Sequence, residues 1–414
     1  MVRQARLGIG LTLLATVAYI SLGLPDGLLG VAWPSMRSDF GVPLDSLGGL
    51  FVSMTVGYFT SSFFGGRLTA HLRLGTVLAL STLFAGGALV GYAISPQWWM
   101  VVIIGIAAGL GGGGIDVALN IYVVNHHGDS MMQWLHATYG IGATVGPVVM
   151  TLAIGSLGSW RWGYALVGGL ELVLAAAFFL TLSRWEDGAG ASDGATAARK
   201  DAPENERGGH GQHTPTHDTP MLETLREGRV WLSVLLFFLY MGIEVTLGSW
   251  AYTLLTEGRG VSPRLAGFFM ASYWGIFTVG RMAAGIYAQR LGQRTIIVGS
   301  LLVALIGAVL LSLNAPGLLN LLACALIGVA IAPVLASLLS GTSGRVGARH
   351  LGNTIGIQIA AMGAGSAVLP SITGVIARHL SLQAIPPFLA VLTIILIGAY
   401  LFSLRTGRET AVTS

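Results

Sequence analysis

Apolar stretches of about twenty residues recur along the chain, broken by short clusters of charge, Pro, Asn or Gly. This rhythm predicts bilayer-crossing helices, since roughly 20 helical residues traverse a hydrocarbon core of about 30 Å. Six such spans are predicted near 7–33, 46–66, 74–94, 98–124, 132–157 and 162–183. Residues 184–228 are polar and poor in large apolar groups, the composition of a flexible linker. Six more spans follow near 229–255, 263–288, 295–314, 316–341, 352–377 and 382–404. The predicted fold is an all-α membrane protein of twelve transmembrane helices. It is divided into an N-terminal six-helix bundle (1–183), a cytoplasmic linker (184–228) and a C-terminal bundle (229–414).

The halves carry matching features, the mark of an internal repeat. The first span contains PDGLLGVAW, with Asp26, Gly30 and Trp33; the seventh contains IEVTLGSW, with Glu244, Gly248 and Trp250. The second and eighth spans end in Gly- and Arg-bearing segments, GGRLTAHLRLG and GRMAAGIYAQRLGQR. These place Arg67, Arg73, Arg281 and Arg290 in short inner loops with an expected gating role. Gly105, Gly109 and Gly113, and again Gly142 and Gly146, recur at four-residue spacing and allow close helix approach.

Composition agrees with the pattern: 53% of the 414 residues are hydrophobic, only 10% are charged and 60 are glycine, with a mean hydropathy of +0.73. A soluble enzyme carries about 25% charge and is excluded. The formal charge of +4 is not a nucleic-acid footprint, because the 22 basic residues are scattered over short loops. If the N-terminus is cytoplasmic, 17 of them lie inside and 5 (Arg37, Arg161, Arg259, Arg264 and Arg378) outside, as the positive-inside rule requires. Both termini are therefore expected in the cytoplasm, with the chain in the cell membrane and the lipid bilayer as its surroundings.

Four carboxylates fall inside predicted spans: Asp26, Asp116, Glu171 and Glu244, with no basic residue expected at their depth. A charge at the bilayer centre costs about 2.5–3.5 kcal/mol, so each acid needs water, polar partners or a proton. A carboxyl that is neutral when occluded and ionised when wet can carry protons, and Asp26, Asp116 and Glu244 are the expected coupling groups. Glu171 has no polar neighbour within a helical turn and is read as structural. Asn120, His136, Tyr139, Tyr240, Trp250, Trp274, Asn353 and Gln358 supply the amides and rings that bind a polyol, and are the expected substrate contacts. Trp98, Trp99, Trp160 and Trp162 are expected as interfacial anchors. His210, His213 and His217 lie in the solvated linker, and no metal site is assigned to them. The absence of GxxxxGK[ST], HExxH and paired CxxC motifs leaves no support for an ATP-driven pump, a metalloprotease or a cofactor.

PDGLLGVAW, GLGGGGIDVALN (109–120), LHATYGIGA (135–143) and FFLYMGIEVTLGSW (237–250), in this order, resemble the major facilitator superfamily and, within it, the fucose:proton symporter family of sugar porters. The resemblance implies uptake of a small sugar-like substrate with protons by alternating access, with Asp26 and Asp116 as the essential carboxyls. This chain has Asp where the fucose porter has Glu in the fourth span, His136 where it has Gln, and Glu244 in place of a Gln. The expected function is proton-coupled symport of a monosaccharide or small polyol. A sodium-coupled sugar symporter and a proton-driven drug or metabolite exporter are the alternatives.

Overall fold

A computed structural model describes residues 2–126, 129–185, 219–314 and 317–409. Side chains at 2–9, 66–67, 70, 124–133, 136, 183, 285–290 and 406–409 are excepted. Among these residues there are no strands. The long helices are α1 (Val2–Phe40), α2 (Leu47–His71), α3 (Leu74–Ile94), α4 (Trp98–His126), α5 (Asp129–Leu157) and α6 (Trp160–Leu180). In the second half they are α7 (Gly228–Thr253), α8 (Pro263–Leu291), α9 (Gln293–Ser312), α10 (Leu318–Ile331, resuming as Val334–Ser340), α11 (Leu351–His379) and α12 (Ile385–Glu409). Eleven of these segments are long and apolar enough to cross a membrane. The twelfth, α8, has the length, but Arg264 and Arg281 within it lower its apolarity.

Small residues set the packing inside the first half. A Cβ at Gly23 would meet the Tyr139 and Ala143 backbone, and one at Gly27 would meet Pro147 and Gly146, so α1 and α5 touch backbone to backbone. Gly109 and Gly113 do the same for α4 against Met54 and Tyr58 of α2. Without a hydrophobic drive between helices in lipid, such close contact is what holds them together. Pro25 removes one backbone donor from the middle of α1, immediately before Asp26.

The halves meet through α1 with α7, α2 with α11, and α5 with α8. Gly30 and Gly248, matched in the sequence repeat, face each other, with Ser249 Cα 3.2 Å from the Cβ position of Gly30. At the face opposite the linker, two cross-half ion pairs tie the helix ends. Arg37 Nη2 donates to both Glu257 oxygens (3.0 and 2.9 Å), and Arg378 Nη1 to both Asp45 oxygens (2.9 and 3.1 Å). Arg161 and Arg259 cap carbonyls at helix C-termini. Arg161 donates to Ala93 O and Ser95 O, and Arg259 to Leu311 O at 2.6 Å.

Several expectations about placement change. Trp160 is buried, donating to Asp39 Oδ2 at 2.7 Å, and Trp98 packs on Trp33 with the rings tilted, whereas Trp99 and Trp162 are exposed as anchors should be. Glu171 is buried against α3, and its Oε2 has no hydrogen-bond partner among the described residues. The linker histidines lie outside the described residues.

Candidate functional site

Two carboxylate clusters occupy the middle of the molecule. The first is built on α4, where Asp116 and Asn120 are four residues apart and share a helix face. Gly113, one turn earlier, lets the α2 backbone approach at Tyr58. Asp116 then accepts three hydrogen bonds, from Tyr58 (2.6 Å) to Oδ2, and from Tyr19 (3.0 Å) and Asn120 Nδ2 (3.0 Å) to Oδ1. Tyr19 also lies 3.1 Å from Asn120 Oδ1. Asp116 is therefore a fully partnered acceptor held by three helices. Tyr19 and Tyr58 were not singled out from the sequence; as tyrosines inside apolar spans, they needed buried acceptors.

The second cluster spans the two halves. On α1, Asp26 accepts a short hydrogen bond from Tyr139 of α5, delivered by the Gly23/Gly27 contact between these helices. Although central in its helix, Asp26 is solvent-exposed, and its Oδ1 takes no hydrogen bond among the described residues. Across the interface, Glu244 is buried and accepts a short hydrogen bond from Tyr240, one turn earlier on α7. Arg281 Nη2 lies 3.9 Å from Glu244 Oε2, and its guanidinium sits 4.4 Å from the centre of the Phe277 ring.

Arg281 corrects the sequence reading twice. It lies inside α8, ten residues before the helix end at Leu291, and not in an inner loop. A basic residue therefore does share the depth of the acids. The Gly- and Arg-punctuated segment looked like a loop, but α8 stays helical through it, which turns Arg281 inward onto Glu244. Arg73 stays exposed at the start of α3, in the connection where it was expected. The side chains of Arg67, Arg290 and His136 lie outside the described residues.

Three expected substrate contacts are placed elsewhere. Trp250 is fully buried and donates to Pro370 O at 2.9 Å, packing on Gly374, so it fastens α7 to α11 near the closed face. Gln358 is fully buried in a polar knot, donating to Ser233 Oγ (2.8 Å) and Thr342 Oγ1 (3.3 Å), with Arg345 on the same Ser233. Asn353 donates to Thr219 O (2.8 Å) and Thr224 Oγ1 (3.1 Å), holding the end of the linker onto α11. All three have satisfied polar groups away from the central acids. Trp274 is nearly buried, edge-on to Tyr273 and Phe277, and lies against Gly248 at the interface of the halves.

With both cross-half ion pairs formed, the helix ends opposite the linker are held together, while Asp26, central in its helix, stays exposed. The site can exchange a proton or cation at Asp26, offer hydroxyl donors and acceptors to a polar solute, and present one positive charge at Arg281.

Comparison with known proteins agrees with this architecture. The chain is 23% identical over 393 residues to "Bypass of stop codon protein 6" of Saccharomyces cerevisiae, covering 89% of this chain and 77% of the relative. It is 22% identical over 320 residues to "Sodium-dependent glucose transporter 1A" of Mus musculus, covering 68% and 69%. Among solved structures it superposes on the nucleoside transporter NupG (TM-score 0.74, 14% identity, 95% and 99% covered) and on a D-xylose-proton symporter (TM-score 0.70, 15% identity, 95% and 97% covered). The Major Facilitator Superfamily model matches residues 15–358, and the chain, a multi-pass membrane transporter and not an enzyme, belongs to that superfamily.

Proposed function

We propose that the protein is a proton-coupled symporter of a monosaccharide or related small polyol, working by alternating access in the cell membrane with both termini in the cytoplasm. The observation that carries this reading is Asp26: a mid-membrane carboxylate, exposed, with one oxygen on Tyr139 and the other open. Asp116 is held by three donors, which suits a polar wall of the cavity. Glu244 is neutralised by Arg281 while the outer face is closed, and a proton taken by Asp26 or Glu244 lowers the cost of closing the cavity over it. Asn120, Tyr139 and Trp274 are the retained candidates for contacting the sugar. The two halves rock about the Gly30–Gly248 contact, and substrate favours the state in which both halves touch it.

The test uses proteoliposomes loaded with a sugar identified by thermal shift among hexoses, deoxyhexoses, pentoses and uronates. Asp26→Asn should retain counterflow exchange of labelled sugar yet lose accumulation driven by a pH gradient, by tenfold or more, roughly the loss of about 1.4 kcal/mol of coupling. Accumulation equal to wild type would remove Asp26 from the coupling role. Sodium coupling is the second reading, favoured by the name of the mouse relative. It predicts that replacing sodium with choline abolishes accumulation at a constant pH gradient.

A further inference from the structure

At the linker face, the start of α9 and the end of α12 leave an open groove of about 360 Å³ lined by Arg294, Leu401, Leu404 and Arg405. No acidic residue lines it, and neither arginine forms an ion pair among the described residues. Arg294 and Arg405 are both exposed. Arg345, behind them, donates to neutral partners among the described residues: Ser233 Oγ, Thr342 Oγ1 and the carbonyl of Leu338.

The other half shows what such a corner requires. There the corresponding helices are α3 and α6, and the chain covers the gap itself. Beyond α6, the short 3-10 turn Leu182–Trp185 folds back, placing Leu182 O and the Trp185 ring 3.0 and 3.2 Å from the Cβ position of Gly75. Trp185 is buried, edge-on to Tyr122 with ring centres 4.8 Å apart, and donates to Thr181 Oγ1. In the second half α12 runs straight on through Arg405 and supplies no such plug.

We infer that the groove between α9 and α12 is a binding site for one acidic phospholipid of the linker-side leaflet. The headgroup phosphate is held by Arg294 and Arg405, and an acyl chain lies on Leu401 and Leu404. Paired arginines suit a phosphate diester, the volume falls in the range of sites for small organic groups, about 300–1,000 Å³, and basic pockets between helices at this depth select anionic headgroups. The lipid does for the second half what Trp185 does for the first. This site is independent of the transported substrate.

Native mass spectrometry of the full chain, released from nanodiscs containing equal phosphatidylglycerol and phosphatidylcholine, tests the assignment. Wild type should retain one phosphatidylglycerol in preference to phosphatidylcholine. The double variant Arg294→Ala/Arg405→Ala should weaken that retention roughly thirtyfold, from about 1 kcal/mol per arginine, with unchanged counterflow activity certifying its fold. Leu404→Trp, which fills the groove and leaves both arginines, should cause a similar loss. Equal retention of the two lipids, undiminished phosphatidylglycerol in either variant, or displacement by millimolar inorganic phosphate would overturn the site.

Discussion

The Glu244–Arg281 pair sits where an isolated charge costs most, so each partner exists there because of the other. Its 3.9 Å separation and the partial exposure of Arg281 make it a loose pair. Removing one partner of a buried pair destabilises by about 3–5 kcal/mol, and screening reduces that here to about 1–2 kcal/mol. Glu244→Gln and Arg281→Gln should each lower the melting temperature of detergent-purified protein. The double variant should recover part of the loss, a coupling of roughly 0.5–3 kcal/mol. Strictly additive losses would mean that the two groups do not interact. By contrast Tyr58→Phe removes one of three donors to Asp116 and leaves an acceptor half satisfied, so it should cost about 1–3 kcal/mol without moving the helices. Circular dichroism melts measure this.

For the helices, position is set by glycine. The α1–α5 backbone contact at Gly23, Gly27, Gly142 and Gly146 brings Asp26 within hydrogen-bond reach of Tyr139. Gly27→Val should push α1 from Pro147 and Gly146, costing about 1–3 kcal/mol by overpacking. It should also reduce exchange of the transported solute, because Tyr139 then loses Asp26. Gly169, with open space at its Cβ position on α6, is the control: Gly169→Ala should leave exchange unchanged. Exchange assays on both variants separate a geometric role from general glycine content.

At the scale of the whole molecule, the face opposite the linker is held by two exposed ion pairs, each worth about 0.2–1 kcal/mol. Latches this weak can hold a state without trapping it. Arg37→Ala/Arg378→Ala should shift the population toward opening on that face, by up to roughly thirtyfold if both contributions reach the upper value. The native Cys324 is buried, so a cysteine placed at Ser249, beside the Gly30 contact, provides a nearly clean reporter. Its labelling by an impermeant maleimide from the face opposite the linker should accelerate in the double variant, and an unchanged rate would show that the ion pairs do not control closure.

The chain alone determined how many spans form, how they divide into two halves and which acids lie deep. Lipid makes those requirements local: each segment must satisfy its own backbone within about twenty residues. Glu171 was legible as a packed acid for the same reason. Tertiary structure decided which side chains converge. Tyr19 meets Asp116 across 97 positions and Trp250 meets the Pro370 carbonyl across 120. Nothing local in a helix states which neighbour its polar face will meet. Trp250, Asn353 and Gln358, reasonable as sugar contacts by type, were therefore taken up as structural fastenings, while Arg281 turned inward to Glu244.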